Sequence, residues 1–357
     1  MKKYVDLFVK AAMAYIFWRP SIGSSMVRWS IALLIALLAG FSLTVGIPTG
    51  AGRFNFAFDS STGTSGLLFN IALAIDIILF AVGMTLILRD AARETRRKIL
   101  VIELLGLRDI SAPPLVRAVP KRARGRREPI LVDIRQGTDG KLVAPEEALS
   151  RTLAIPYLLS AHTAGHERDD LEYIAAALAP VPFAFLLGVL LDDESPVEII
   201  DWDRNALVWR KLDQPDDGER FAVTGLDALG DAEEAVIAIS FSYPVDRPAI
   251  DETFSGFPLI LLTLPTPRIN GHWSAEKQTA LAEQFFDVAR QVCGGRLRKI
   301  HLVLAAPASI AIRFGRTYDK RNLPNLIVYQ YERNGIPPYP WGVSMPVANE
   351  QAEIVKR

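Results

Sequence analysis

The stretch HLVLAAPASIAIRFGR, residues 301–316, decides the fold expected for the larger part of the chain. Its apolar beginning belongs to the run KIHLVLA (299–305), which is typical of a buried strand, and residues 308–318 have a helical pattern. Small side chains occupy the turn between them, Ala305–Ala308. In an open α/β sheet, ligands bind where such a turn leads from the carboxyl end of a strand into a helix, whose first backbone N–H groups attract anions. The stretch therefore predicts a parallel sheet with an anion-binding crevice.

Further apolar runs on both sides of this stretch extend the sheet. Continuous apolar strands indicate a parallel sheet covered on both faces, as in Rossmann-like α/β folds. The predicted strands are ILVDI (130–134), PFAFLLGVLL (182–191), VEIIDW (197–202), AVIAISF (235–241), PLILLTL (258–264), KIHLVLA (299–305) and NLIVYQY (325–331). The predicted helices are 145–161, 166–179, 274–293 and 308–318. Two similar passages, 129–225 and 226–357, predict two lobes of related α/β architecture.

Polar side chains follow two further strands of the second lobe. The segments SFSYPVDR (240–247) and TLPTPRI (263–269) leave the strands at the same sheet edge as the turn at 305–308. At this edge Tyr243 is expected to stack on a base, and Arg268 to pair with a phosphate. Arg313 is expected either to face the crevice or to form a surface salt bridge. The predicted ligand-binding residues are Ser242, Tyr243, Thr266, Arg268, Ala306, Pro307, Ser309 and Arg313.

Motifs for catalysis or for a resident metal are not found in the sequence. It contains no Walker A lysine loop, no GxSxG elbow and no GxGxxG. His162 and His166 have the i, i+4 spacing that a metal can use, but no third ligand accompanies them. The single cysteine, Cys293, cannot form an intramolecular disulfide, which favours a cytosolic large domain. We therefore predict no catalytic residue, no metal site and no cofactor.

The charges of the chain are segregated, although 40 basic and 40 acidic residues give a formal net charge of zero. Residues 89–128 carry 12 basic and 5 acidic residues, whereas residues 129–357 carry 22 and 32. The acidic segment 129–357 lacks the basic surface that binding to a nucleic-acid backbone requires. An anionic ligand must therefore bind in a local pocket. The nearly chargeless residues 29–88 instead indicate a membrane region.

Two apolar runs within 29–88 are long enough to span a bilayer as helices. Trp29–Ile47 is 19 residues without a charge, and Leu67–Leu88 is 22 residues with the single charge of Asp76. At about 1.5 Å per residue, the shorter run reaches roughly 28 Å. Basic residues before the first run and after the second place both termini in the cytoplasm of a multi-pass membrane protein, with a short outside loop between the spans. A cleaved signal peptide is the competing interpretation of the first run.

The segments that flank the spans are expected on the cytoplasmic side. Residues 1–28 are expected either to form an interfacial helix or only to lead into the first span. Residues 89–105 have a helical pattern and introduce a basic linker that ends in KRARGRRE (121–128). The linker, 89–128 as a whole, either only sets the topology or also binds anionic lipid headgroups.

Small residues and one carboxylate mark possible assembly positions in the spans. Ala32, Ala36 and Gly40 recur at four-residue spacing, which stacks them on one helix face and predicts close approach of another helix. Asp76 either forms a hydrogen bond between helices or belongs to a polar line in a pore or self-association seam.

The stretch KIHLVLAAPASIAIRFGR (299–316), with NLIVYQYE (325–332) further on, resembles the signature of SAVED domains, the cyclic-oligonucleotide sensors of bacterial CBASS anti-phage systems. The resemblance is strongest over 236–350; over 129–225 it rests on element order and on EIIDWDRNALVWR (198–210). It implies two fused CARF-like Rossmann lobes that bind a cyclic di- or trinucleotide, whose partner cyclase acts through the messenger only. With two spans in place of the usual fused enzyme, it further implies an effector that oligomerises on binding and disrupts the inner membrane, which causes abortive infection.

Two other functions stay open on the sequence alone. One is a membrane-anchored enzyme that acts on a nucleotide, for instance by degrading the messenger. The other is a scaffold or receptor that relays the signal to another membrane protein.

Overall fold

The computed structural model describes most of the chain, which forms two compact units. The first unit is Met1–Arg96 and the second is Arg97–Arg357. The described residues are 21–38, 43–49, 52–58, 66–107, 112–120, 123, 125–136, 144–191, 196–293, 296–319, 323–346 and 350–357.

The described residues of the first unit form two helices, with a β-hairpin between them in the chain. Helix α1 spans Ile22–Leu38 and helix α2 spans Gly66–Arg96. Strands β1 (Leu43–Thr49) and β2 (Gly52–Phe58) pair antiparallel. Within the described residues, one helical segment, Phe69–Arg93, is long and apolar enough to cross a membrane; α1, with 17 residues, is shorter than that.

The bounds predicted for the first span are wrong. A helix over Trp29–Ile47 was expected, but α1 ends at Leu38 and the chain is already a strand from Leu43 onward. The sequence LTVGIPT of β1 combines β-branched residues with a glycine and a proline, which favour an extended chain over a helix. Part of the loop expected between the spans, Gly52–Phe58, is therefore the second strand of a β-hairpin.

Helices α1 and α2 pack closely where their glycines face each other. A Cβ added at Gly23 would lie 2.9 Å from the carbonyl oxygen of Gly83, and one added at Gly83 would lie 2.8 Å from Cγ2 of Val27. The Ser30 hydroxyl donates a hydrogen bond of 3.4 Å to the backbone oxygen of Asp76. Small residues let two helix backbones approach, so the face of α1 that carries Gly23, Val27 and Ser30 is the one that contacts α2.

The first lobe of the second unit is built on a five-stranded sheet in the order β4-β3-β5-β6-β7. The first four strands of this order run parallel, and β7 is antiparallel to β6. The strands are β3 (Lys98–Leu105), β4 (Arg126–Asp133), β5 (Leu171–Leu178), β6 (Val197–Asp203) and β7 (Val208–Lys211). The helices are α3 (Pro145–Leu153), α4 (Ile155–Thr163) and α5 (Val181–Leu191).

The second lobe is built on a seven-stranded sheet in the order β14-β13-β12-β11-β9-β10-β8. Strands β12, β11, β9 and β10 run parallel, and the remaining three are antiparallel to their neighbours. The strands are β8 (Ala222–Thr224), β9 (Glu234–Ser240), β10 (Leu259–Thr263), β11 (Lys299–Ala305), β12 (Asn325–Gln330), β13 (Trp341–Ser344) and β14 (Glu353–Lys356). The helices are α6 (Arg247–Thr253), α7 (Ala275–Cys293) and α8 (Ala308–Thr317). The predicted pair of Rossmann-like α/β lobes is thereby confirmed.

Two neighbouring elements of the first lobe are interchanged relative to the sequence prediction. Residues 166–179, predicted as a helix, contain strand β5, and residues 182–191, predicted as a strand, belong to helix α5. The alanines of β5 favour a helix by intrinsic propensity, but they lie buried in the core as a strand. Helix α5 is buried on almost every side, so its sequence has no polar face from which a helical period could be read.

The helix predicted over 89–105 is correct only as far as Arg96. Residues 98–105 form β3, which lies between β4 and β5 and is buried except at its two end residues. A strand covered on both faces is apolar without alternation, so it resembles the continuation of an apolar helix. The first lobe therefore begins at β3, ahead of the boundary predicted at 129, and the end of the basic stretch 121–128 runs into β4.

One hydrophobic core connects the two lobes. Helix α5 of the first lobe packs against helix α8 of the second, and buried residues of both sheets belong to the same cluster. At the crossing, a Cβ on Gly188 would clash with the carbonyl oxygen of Ile312, and one on Gly315 would clash with that of Phe185. Only glycine permits this separation of the two backbones.

Candidate functional site: a cleft between the two lobes

A cleft of about 480 Å³ lies where the carboxyl ends of β5 and β11 face each other across the lobe boundary. This is the location at which open α/β sheets bind ligands. Both lobes contribute polar side chains and small residues to its wall. The lining residues are Leu107, Ala177–Val181, Ala184, Asp201, Trp202, Arg204, Asn205, Ser242, Tyr243, Ile269, Asn270, His272, Trp273, Leu304–Ala308, Gln330 and Tyr331.

Two turns of similar chemistry open into this cleft, one from each lobe. Ala179–Pro180 joins β5 to α5, and Ala306–Pro307 joins β11 to α8. Both turns are small and apolar, so a ligand can approach the backbone at the start of either helix. The positive ends of the two helix dipoles lie at these turns, and such ends favour a bound anion.

A carboxylate from the first lobe reaches the beginning of α8. Asp201, two residues before the end of β6, is 5% exposed, and its Oδ2 accepts a hydrogen bond of 3.1 Å from the backbone N–H of Ser309. Its Oδ1 accepts a bond of 2.8 Å from the backbone N–H of Trp202. The carboxylate thus satisfies a donor in the first turn of α8, where a negative charge is stabilised, and it links the two lobes at the cleft wall.

The imidazole of His272 lies beside this carboxylate. Its Nε2 is 3.6 Å from Oδ2 of Asp201, and its Nδ1 is 3.2 Å from the backbone oxygen of Ile269. Burial lowers the pKa of His272 below its ordinary value, and the negative charge of Asp201 only partly opposes this effect. His272 is therefore neutral at physiological pH and offers a hydrogen-bonding group to the cleft without adding positive charge.

Two side-chain oxygens at the cleft wall are buried without a hydrogen-bond partner. They are Oγ of Ser242, a residue that is 7% exposed, and Oε1 of Gln330. Ser242 follows β9 and Gln330 ends β12, the two strands on either side of β11. A buried polar atom without a partner costs about 1–3 kcal/mol, so each oxygen is an unsatisfied hydrogen-bonding group beside the cleft.

A second cavity of about 340 Å³, the side chamber, adjoins the cleft. Tyr331 and Tyr339 lie in its wall with ring centroids 5.3 Å apart, and the Tyr331 hydroxyl donates a bond of 3.1 Å to Oδ2 of Asp246. Several of its residues, among them Tyr243 and Gln330, also line the cleft, so the two cavities lie side by side. The lining residues are Val181, Tyr243–Asp246, Val303–Ala305, Tyr329–Tyr331 and Tyr339.

Four of the eight predicted ligand-binding residues line the cleft: Ser242, Tyr243, Ala306 and Pro307. Thr266 is exposed and is not part of the lining. Arg268 instead forms an ion pair of 3.0 Å with Glu219, which also accepts a bond of 2.9 Å from the buried Lys277. This cluster holds the 213–220 segment against α7, which explains why Arg268 is turned away from a ligand.

The two predicted residues on α8 are held away from the cleft lining. Ser309 is fully buried, and its Oγ accepts a bond of 2.9 Å from Nε2 of Gln278. Arg313 is half-buried, and burial, together with the charge of Arg316, lowers its pKa to about 10. The surface salt bridge that the sequence left open for Arg313 is not present among the described contacts of its side chain, whose Nε has no partner.

Four residues that line the cleft were not predicted from the sequence: Asp201, His272, Gln330 and Tyr331. Gln330 ends β12 and Asp201 lies near the carboxyl end of β6, so the rule that selected the turn at 305–308 applies to them as well. His272 could not be selected in this way, because it lies in an irregular segment that reaches the cleft only through the tertiary fold.

The positions predicted for membrane assembly lie on different faces. Ala32 is exposed, Ala36 is half-buried, and Gly40 lies outside the described residues. Asp76 is 3% exposed on the face of α2 that packs against α1, and its Oδ1 has no partner. The exposed face of α1 and the Asp76 carboxylate therefore do not form one continuous surface.

The described titratable residues were also examined for the groupings and pKa values that catalysis or metal binding requires. Within the described residues, no three His, Cys, Asp or Glu side chains are grouped as a metal site would require. The Cys293 thiol donates to the Ala289 carbonyl, and burial raises its pKa to about 11. A thiol with so high a pKa is a poor nucleophile at neutral pH.

Comparison with known proteins covers both units. A family model described as the SMODS-associated and fused to various effectors sensor domain, SAVED, matches residues 157–345, and one described as the SAVED-fused 2TM effector domain matches residues 2–149. No curated protein matches the chain.

Solved structures of two receptors are similar to the chain. The Acinetobacter baumannii Cap4 SAVED/CARF-domain containing receptor with the cyclic trinucleotide 2'3'3'-cAAA is 14% identical, with a TM-score of 0.47 over 79% of this chain and 60% of that one. The Cap4 receptor from Moraxella osloensis is 15% identical, with a TM-score of 0.43 over 76% and 54%. The matched part thus spans little more than half the length of these receptors.

Proposed function

Because the chain belongs to the SAVED family of sensor domains and also matches the two-span effector domain fused to them, we propose that it is a CBASS membrane effector that binds a cyclic di- or trinucleotide in the cleft between its lobes. The observation that carries this proposal is the pair of strand–turn–helix units, at Pro180 and Pro307, that open into one cleft from opposite lobes. A cyclic di- or trinucleotide carries two or three phosphates around its ring, so helix N-termini from two sides of the cleft suit such a ligand.

The polar groups of the cleft suit a ligand that brings both acceptors and donors. The hydroxyl of Ser242 is placed to donate to a phosphate or sugar oxygen, and Tyr243, which is 56% exposed, is placed to stack on a base. The carboxylate of Asp201 accepts hydrogen bonds, so it suits a ribose hydroxyl or a base amino group. Ala306 and Pro307 give the ligand access to the backbone.

The membrane unit is proposed to respond to assembly of the sensor. A ligand drives assembly only if it binds the assembled form better than the single chain. Assembled sensors raise the local concentration of their helices, which lets the exposed Ala32 face of α1 meet another copy in the bacterial inner membrane. Because Asp76 packs against α1, a polar seam that includes it requires α1 and α2 to separate.

The direct test uses the full chain in lipid nanodiscs, titrated with a panel of cyclic di- and trinucleotides. Calorimetry measures binding, light scattering measures mass, and release of a trapped dye from proteoliposomes measures permeabilisation. Tight binding of one panel member, with a rise in mass and dye release, is the expected result. Binding to none of them would overturn the proposal.

The same samples separate the two competing functions. For a membrane-anchored enzyme, chromatography of the bound nucleotide after long incubation would reveal a product. For a receptor that relays the signal to another membrane protein, binding and assembly would occur without dye release from liposomes that contain this chain alone.

A further inference from the structure

We infer that Arg204, in the turn between β6 and β7, is the residue that pairs with a phosphate of the nucleotide. The inference rests on the proposed function, since it concerns how the same ligand is held. Of the described residues that line the cleft, Arg204 alone is a lysine or an arginine. It is exposed at the rim of the cleft, so a phosphate can reach its guanidinium without a change in the fold.

The rest of the cleft does not supply the positive charge that an anionic ligand needs. Asp201 contributes a buried carboxylate, and residues 129–357 carry 22 basic residues against 32 acidic ones. Burial lowers the pKa of His272, so its imidazole is neutral. Within the described wall of the cleft, a ligand with two or three phosphates therefore meets one cation, the guanidinium of Arg204. A charge on the wall of a cleft raises the local concentration of an oppositely charged ligand.

The guanidinium of Arg204 is not engaged elsewhere in the described part of the chain. Neither an ion pair nor a hydrogen bond joins its side chain to another described residue. Two other arginines of this region are held by the protein itself. Arg210 stacks on Trp273, 4.7 Å from the ring centroid, and Arg268 forms its ion pair of 3.0 Å with Glu219. Arg204 therefore keeps all its donors for a ligand.

The turn holds the backbone of Arg204 in place while its side chain stays mobile enough to follow a phosphate. Oδ1 of Asp203 accepts two hydrogen bonds, of 2.9 and 3.0 Å, from backbone N–H groups of the turn. Next to the turn, the rings of Trp202 and Trp209 meet edge to face with centroids 5.3 Å apart. A fixed backbone reduces the entropy that is lost on binding. The planar guanidinium can then donate two parallel hydrogen bonds to one phosphate.

The test titrates the full chain, in nanodiscs of uncharged lipid, with cyclic di-AMP, cyclic di-GMP, cyclic GMP-AMP and cyclic tri-AMP. Calorimetry measures the affinity at about 50 mM and about 500 mM salt, because salt screens a charge pair at an exposed position. We expect Arg204→Gln to weaken binding of the tightest probe about ten-fold at the lower salt concentration and less than about three-fold at the higher one. Arg204→Lys, which keeps the charge but not the paired donors, should lie between these values.

Arg298 provides the matched control. It is exposed, its side chain is joined to no other described residue, and it directly precedes β11, whose opposite end reaches the cleft. Arg298→Gln removes the same charge far from the cleft, so it should leave the affinity unchanged at both salt concentrations. The midpoints of thermal unfolding should be equal for the natural chain and the three variants, since neither arginine loses a partner.

Three results would overturn the inference and leave the proposed function intact. The first is equal binding of the tightest probe by Arg204→Gln and the natural chain. The second is a loss of affinity in Arg204→Gln that is the same at both salt concentrations, and the third is a lower midpoint of unfolding for this variant, because either would indicate a structural role. Binding of no probe by the natural chain would overturn both the inference and the proposed function.

Discussion

Gly188 of α5 and Gly315 of α8 meet at the crossing of their helices: a Cβ added to Gly315 would lie 3.1 Å from Cα of Gly188. Each glycine stands eight residues after the proline of its own turn, Pro180 or Pro307. The residue three positions before each glycine, Phe185 or Ile312, presents the carbonyl oxygen against which the opposite glycine packs. The two lobes therefore repeat the same strand–turn–helix unit and join through corresponding positions.

Substitution at this crossing should destabilise the second unit. Gly188→Ala places a methyl group where a backbone oxygen of α8 already lies, and such overpacking costs about 1–3 kcal/mol or more. The midpoint of thermal unfolding should fall by several degrees. Gly271→Ala is the control, because the nearest atom to an added Cβ there is 3.5 Å away. Equal midpoints for the two variants would contradict the close crossing.

Two buried serines should respond in opposite ways to removal of their hydroxyl groups. Ser242→Ala deletes an unpartnered oxygen in the cleft, so the free energy of unfolding should stay the same or rise, while affinity for the nucleotide falls about ten-fold. Ser309→Ala deletes the acceptor for Gln278 outside the cleft lining, so stability should fall by about 1 kcal/mol with affinity unchanged. Thermal unfolding and calorimetry measure both. A Ser242→Ala chain that binds normally would remove Ser242 from the site.

Acid should weaken the fold through His301. This histidine is 1% exposed; burial lowers its pKa to about 4, although Glu234 opposes the shift with a hydrogen bond of 2.8 Å. Because the folded pKa lies below the unfolded value near 6.5, stability is full above that value and is lost as the pH falls toward 4. The loss between pH 7 and pH 5 should be about 2 kcal/mol.

The control for this pH dependence is His301→Gln, measured by urea unfolding at each pH. The variant lacks the titrating group but keeps a polar side chain, so its stability should depend less on pH by a similar amount. If the two pH profiles are parallel, His301 does not titrate as its burial requires.

A change at Asp76 should separate sensing from permeabilisation. Asp76→Leu removes a buried carboxylate from the face of α2 that packs on α1, and it leaves the cleft untouched. We expect normal membrane insertion and nucleotide binding, with loss of dye release from liposomes and of toxicity in cells. Ala74→Leu, at an exposed position on the same helix, is the control and should keep dye release. Unchanged killing by Asp76→Leu would exclude Asp76 from the mechanism.

The position of β3 predicts where the sensor can be cut from the chain. A fragment that begins at residue 129 lacks β3, which pairs with both β4 and β5, so it should be insoluble or unfolded. A fragment that begins at residue 97 retains the whole five-stranded sheet and should show a cooperative unfolding transition by circular dichroism. A folded fragment 129–357 would contradict the importance of this strand.

The sequence correctly predicted those strands and helices whose residue preferences and hydrophobic pattern agree with their burial in the folded protein. The run at 299–305 is apolar, rich in β-branched and large side chains, and followed by a small-residue turn, and it forms β11 with the predicted bounds. The alanines of β5 and the uniformly apolar α5 lack such agreement, because total burial removes the polar positions that reveal a period.

The candidate site was predictable only in part, for a related reason. Ser242, Tyr243, Ala306 and Pro307 follow strands that could be identified, and all four line the cleft. The rule that ligands bind at the carboxyl ends of strands does not indicate which nearby side chains already form ion pairs or hydrogen bonds within the protein. Arg268 is bound to Glu219, and this ion pair joins residues 49 positions apart in the chain.

The shared core beneath the cleft determines how a bound ligand can signal. A ligand can move two lobes apart only where the chain has a hinge. Here α5 and α8 contact each other through glycines, with no space between their backbones. The floor of the cleft is therefore a rigid frame. We therefore expect the proposed nucleotide to act on the exposed rim of the cleft, where Arg204, Asn205, Ile269 and Asn270 lie, and this outer surface is the one that a second copy would contact in the proposed assembly.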